Sequence, residues 1–81
     1  MLQERRGAVR QIVNRPAKFK EGPVTPVRDC KIRDISDTGV GLVVAGGLAS
    51  DHFTLFDTGG VERRCIVIWR IGEVVGARFE K

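Results

Sequence analysis

Arg33-Asp34-Ile35-Ser36-Asp37-Thr38-Gly39-Val40-Gly41-Leu42 reads as a strand, a polar turn and a second strand. Ile32 and Ile35 lead in, and Val40, Leu42, Val43 and Val44 lead out. Asp34, Ser36, Asp37, Thr38 and Gly39 between them are turn-building residues: Asp and Ser side chains bond backbone N–H groups two residues on, and glycine takes φ > 0 without a Cβ clash. On these residues alone the stretch is a turn that holds its own shape.

The same grammar continues in both directions. Arg10 to Lys20 alternates, with Val13, Ala17 and Phe19 on the expected core side and an irregularity expected near Pro16, which cannot donate to a strand ladder. Glu21-Gly22-Pro23 turns the chain into a second strand, Val24 to Ile35, interrupted early by Pro26. Its Cys30 and Ile32 share an inward parity, with Arg28 and Asp34 on the same parity near the wetter strand ends. Val40 to Ala45 is apolar on both parities, as in a strand covered on both faces, and Gly46-Gly47 ends it. Leu48 to His52 fits a helical turn or a loop. A fourth strand begins at Phe53. Asp57-Thr58-Gly59-Gly60 makes a hairpin turn into Val61–Arg70, and Ile71-Gly72-Glu73 turns the chain back into Val74–Phe79. In the long fifth segment Cys65, Val67 and Trp69 share one parity; Trp69 is read as core ahead of the alternative that it lines a binding site. Six short strands without a 3.6-residue stripe predict an all-β domain that removes its edges by closing into a barrel.

Eighty-one residues make one domain with a modest core. No run of 18 apolar residues suggests a membrane helix, and no apolar run follows the charged N-terminus as in a signal peptide, so the cytoplasm is the expected location. Cys30 and Cys65 are expected as buried free thiols, and with His52 alone they make no zinc signature. Net charge is +4. Its placement says more: residues 1–20 carry Arg5, Arg6, Arg10, Arg15, Lys18 and Lys20 against Glu4 alone, while the rest of the chain is nearly neutral. An anionic partner at the N-terminal segment is implied. Residues 1–9, polar and without a core stripe, read as a flexible basic arm ahead of a domain spanning 10–81.

Arg6 and Arg10 form an Arg-x-x-x-Arg segment with Arg5 before it, and Asp34, Ser36 and Gly39 form an Asp-x-Ser-x-x-Gly turn further on. In this order and spacing, and with the closing Val75-Gly76-Ala77-Arg78-Phe79, the chain resembles the PilZ domain family, receptors of the bacterial second messenger cyclic di-GMP. The resemblance spans nearly the whole sequence. It implies a six-stranded antiparallel PilZ-type β-barrel, here without the helix that many members add after the last strand. It also implies ligand contacts from Arg5, Arg6, Arg10, Asp34 and Ser36, with Gly39 shaping the turn; an Arg at the place of Arg5 goes with a stacked ligand dimer. The chemistry agrees. An Arg fork bonds guanine O6 and N7 or two phosphate oxygens, and a carboxylate accepts from guanine N1–H and N2. Ordering about five arm residues costs on the order of 5–10 kcal/mol, which several charge-assisted hydrogen bonds at roughly 1.5–3 kcal/mol each can offset.

The expected function is a binding module that orders its arm on cyclic di-GMP and signals to a downstream protein, with no further cofactor. A homodimer through an outward apolar face at Ile66 and Ile68 fits the same reading. Two alternatives stand beside it: a small basic barrel binding single-stranded nucleic acid, weakened by the lack of aromatic platforms, and a ligand-free protein-interaction module. No nucleophile–base–orienter set points to an enzyme, and Gly39-Val40-Gly41 leads into a strand, unlike a dinucleotide fingerprint.

Overall fold

The computed structural model describes residues 11–57 and 60–80; Arg5, Arg6 and Arg10, the arm, and Thr58 and Gly59 of the expected hairpin turn lie outside them. The alternating segments form six strands: β1 (Gln11–Lys20), β2 (Arg28–Ile35), β3 (Gly39–Val43), β4 (His52–Phe56), β5 (Glu62–Ile71) and β6 (Val74–Phe79). Every neighbouring pair is antiparallel, and the order β1-β2-β3-β6-β5-β4 closes on itself through β1 and β4. The expected six-stranded antiparallel barrel is present, and the described residues contain no helix. Leu48 to His52, left open between helical turn and loop, runs as a loop into β4.

The inner face holds the core. Phe19, Ile32, Leu42, Leu55 and Val75 are wholly or almost wholly buried, each stabilising the fold by roughly 1.5–3 kcal/mol. The Phe19 and Phe53 rings meet edge to face with centroids 6.1 Å apart. Val13 and Ala17 face inward with Phe19 as expected. Cys30 packs against the core and Cys65 lies within it, both as free thiols. Arginines fasten the periphery. Arg15 donates to both carboxylate oxygens of Asp57 at 3.0 and 2.6 Å, and Arg70 holds the loop before β4 through Leu48 O and Ser50 O.

Three irregularities in the ladders govern what faces outward. The first lies at Val13-Asn14 of β1, where the register shifts between Ile12 and Arg15 and Asn14 takes φ +45°, a conformation that asparagine tolerates better than most residues. The irregularity expected near Pro16 is this bulge, which ends at Arg15 just before the proline. Pro16 itself pairs with Lys31, and because β4 joins β1 only from Lys18 to Lys20 it lies where the other side of β1 is an open edge, a place that tolerates proline. The second shift adds Arg33 to β2 opposite β3. The third adds Ile68 to β5 opposite β6. On β2 and β5 the extra residue reverses the in–out alternation beyond it, whereas on β1 Val13, Ala17 and Phe19 keep to the same face.

Candidate ligand-binding site

Two residues lie just past such bulges, and both change sides. Val40 and Leu42 point into the core, so Gly41 between them faces out, and Asp34, directly opposite Gly41, faces out with it. The inward parity expected for Asp34 is therefore corrected. So is its expected access to water, since Asp34 is only 6% exposed. Trp69 likewise pairs with Gly76, between the inward Val75 and Ala77, and lies outside at 42% exposure; its assignment to the core is corrected for the same reason.

These residues form one row across the outer face: Ile12 on β1, Asp34 on β2, Gly41 on β3, Gly76 on β6 and Trp69 on β5. The two glycines are its floor. A Cβ on Gly41 would stand 2.8 Å from Asp34 Oδ2, so the carboxylate lies over Gly41. A Cβ on Gly76 would fall inside the Trp69 indole, which lies flat against the strand there. A glycine within a strand often marks such a close approach. Asp34 accepts from Arg33 Nε at 3.3 Å, one of the contacts that offset its burial.

At one end of this row is the turn. Ser36 N–H donates to Gly39 O at 2.9 Å, and Ser36 Oγ accepts from the N–H groups of Thr38 and Gly39, each at 3.3 Å. The hydroxyl's acceptor capacity is thus used inside the turn, and its own O–H is left to donate to Thr38 Oγ1 at 3.4 Å or to a ligand. Gly39 serves a different purpose from the one expected. Its φ is not in the left-handed region, which among the described glycines holds Gly46, Gly47, Gly60 and Gly72. A Cβ there would stand 2.5 Å from Ala77 O, so the glycine admits the β6 backbone. Phe79 N–H, donating to Thr38 O at 2.9 Å, ties β6 to the same turn.

Asp34, Ser36 and Gly39 are thus gathered on one outer ledge, while Arg5, Arg6 and Arg10 lie outside the described residues. Gln11 pairs with Ile35 and Ile12 with Asp34, so the chain enters β1 beside that ledge. A groove of about 530 Å³ adjoins the turn, lined by Asp37, Thr38, Arg63, Arg78, Phe79 and Glu80. Another, of about 550 Å³, opens between the loop after β1 and strands β4 and β5, with His52, Glu62 and Arg64 on its walls; it contains none of the motif residues. Burial pushes both thiols up, Cys30 to about 11 and Cys65 to about 12. Among the described residues no group of three His, Cys, Asp or Glu side chains is arranged to hold a metal.

Gly41 and Gly76 in the floor of this row, and Arg63 on the wall of the groove beside the turn, were not singled out by sequence reasoning. Glycines inside apolar strands were the available signal for the first two; nothing in the sequence singled out Arg63. Compared with models of protein families and with curated proteins, the chain matches none.

Proposed function

We infer that the chain is a non-enzymatic receptor domain of the PilZ type, binding cyclic di-GMP in the cytoplasm and passing the signal to a downstream protein. The observation that supports this reading is the register of β1, whose first described residues pair beside the Asp34–Ser36 turn. Strand β1 starts beside Asp34 and Ser36, so the basic segment bonded to Gln11 begins at an acceptor-and-hydroxyl ledge. Consecutive Cα atoms are 3.8 Å apart, which leaves Arg10 and Arg6 short tethers to the same ledge. In this reading the arginines take phosphate oxygens and the Hoogsteen edge of guanine, while Asp34 accepts from N1–H and N2. Trp69 gives the row a flat aromatic face on which a purine can stack.

Calorimetric titration with cyclic di-GMP at low salt tests it. Wild type is expected to bind, and Arg6→Ala and Asp34→Ala each to weaken binding at least tenfold. Absence of heat with wild type, or wild-type affinity in both variants, overturns the reading. Trp69 also lends some support to single-stranded nucleic acid, as an exposed aromatic plate on a basic chain. That reading needs several such plates, and Phe19, Phe53 and Phe79 are buried. An oligonucleotide affinity that falls steeply with salt while cyclic di-GMP stays inert would favour it.

A further inference from the structure

Among the described residues seven arginines are present, and five are ion-paired: Arg15 with Asp57, Arg28 with Glu21, Arg33 with Asp34, Arg64 with Glu80 and Arg70 with Asp51. Arg63 and Arg78 make no ion pair among the described residues. Both line the same groove of about 530 Å³ beside the turn. Two guanidinium groups without an ion-pair partner among the described residues thus line one groove.

The surroundings organise the pair. The Arg63 guanidinium carbon lies 4.2 Å from the centroid of the Phe79 ring, a cation–π contact that holds the planar fork in place and lowers the entropy cost of using it. Arg78 pairs with Gly39 across the sheet, so no side chain stands against it on that side. Thr38, whose carbonyl is fixed by Phe79 N–H at 2.9 Å, brings a hydroxyl to the groove. Of the two carboxylates there, Glu80 is engaged by Arg64 at 3.6 Å, and Asp37 sits at the exposed tip of the turn.

We propose that Arg63, Arg78 and Thr38 form an oxyanion seat for the phosphate of a small nucleotide, a second binding element that adjoins the Asp34–Ser36 ledge through the turn. A pair of guanidinium forks with a hydroxyl matches the several oxygens of a phosphate better than a point charge does. The cavity is of the size that encloses a small ligand. Asp37 adds an acceptor, which suits a ligand carrying N–H donors as well as phosphate. The seat stands whether or not cyclic di-GMP is the ligand of the ledge.

The test is an NMR titration of the full chain with inorganic pyrophosphate and, separately, with cyclic di-GMP, at low salt. It follows the amides of Thr38, Gly39 and Phe79 and the Nε–H signals of Arg63 and Arg78. Saturable pyrophosphate shifts in wild type are expected, with affinity falling about 10- to 100-fold in Arg78→Gln. Arg63→Lys, which keeps the charge and loses the fork, is expected to weaken binding in the same direction. Absence of saturable shifts, or equal affinity in wild type and both variants, overturns the seat. Pyrophosphate binding with no response to cyclic di-GMP upholds the seat and refutes the proposed ligand. Cyclic di-GMP binding without any pyrophosphate effect, unchanged in both variants, does the reverse.

Discussion

Replacing Gly39 by alanine is expected to damage the fold out of proportion to one methyl group. The new Cβ would stand 2.5 Å from Ala77 O and 3.3 Å from the Arg78 Cα. A carbon against a carbonyl oxygen needs about 3.3 Å, so β3 and β6 must part locally by about 0.8 Å. Both contacts are backbone, and no rotamer change relieves them. Overpacking of this kind costs about 1–3 kcal/mol. The separation also strains the bonds from Phe79 N–H to Thr38 O and from Ser36 N–H to Gly39 O, each 2.9 Å, and losing one costs about 1 kcal/mol. Alanine returns roughly 0.5–1 kcal/mol through the smaller entropy of its unfolded chain. The net loss is about 2–3 kcal/mol, a large share of the roughly 4–8 kcal/mol available to a domain of this size. Urea unfolding followed by circular dichroism reads it directly. With a slope of about 1 kcal/mol per molar, the midpoint should fall by about 2–3 M. Gly60→Ala is the control: Gly60 has φ +80° and nothing within 4 Å of the place its methyl group would take, so only torsional strain of about 1 kcal/mol is expected. Equal midpoints for Gly39→Ala and wild type, or a larger loss in Gly60→Ala, would refute the close-approach account.

Gly76→Ala should push the Trp69 indole off β6; because Trp69 is the only tryptophan, its emission should move several nanometres to the red, and an unchanged spectrum would contradict the flat packing. Glu21 accepts from Ser50 Oγ at 2.8 Å and from Arg28 Nη1 at 3.0 Å, and these bonds, the Ser50 hydroxyl foremost, hold its carboxyl below the usual carboxylate value. A depressed folded pKa contributes stability above the unfolded value of about 4.3 and loses it as pH falls through the folded one. Wild type should therefore melt above Glu21→Gln at pH 6, with the gap narrowing below pH 4; a gap that stays constant down to pH 2.5 would count against it. Native Cys30 and Cys65, with thiols raised to about 11 and about 12, should alkylate far more slowly at pH 8 than the same thiols in urea. Rapid native labelling of Cys65 would show that the core opens readily.

Period-two alternation placed Val13, Ala17, Phe19, Cys30 and Ile32 on the inner face, and Val74–Phe79 is the sixth strand with the bounds expected. The turn at Ser36–Gly39 was legible because its chemistry is local: a hydroxyl bonding amides two and three residues on needs no distant partner. Alternation failed at Asp34 and Trp69, each just beyond an inserted residue. A bulge leaves no mark in composition, because it is set by how two strands share a ladder and not by either strand alone.

By itself, then, the sequence determined an all-β chain, the polar turn at Ser36–Gly39 and the concentration of charge ahead of β1. Those properties reside in single residues and their near neighbours along the chain. Only the folded barrel decided that β3 lies between β2 and β6, and so that Gly41 and Gly76 sit side by side between a buried carboxylate and an indole. It alone brought Arg63 and Arg78 to the turn from two other strands. Such juxtapositions are between residues tens of positions apart, fixed by ladder register and barrel closure, and no local pattern encodes them.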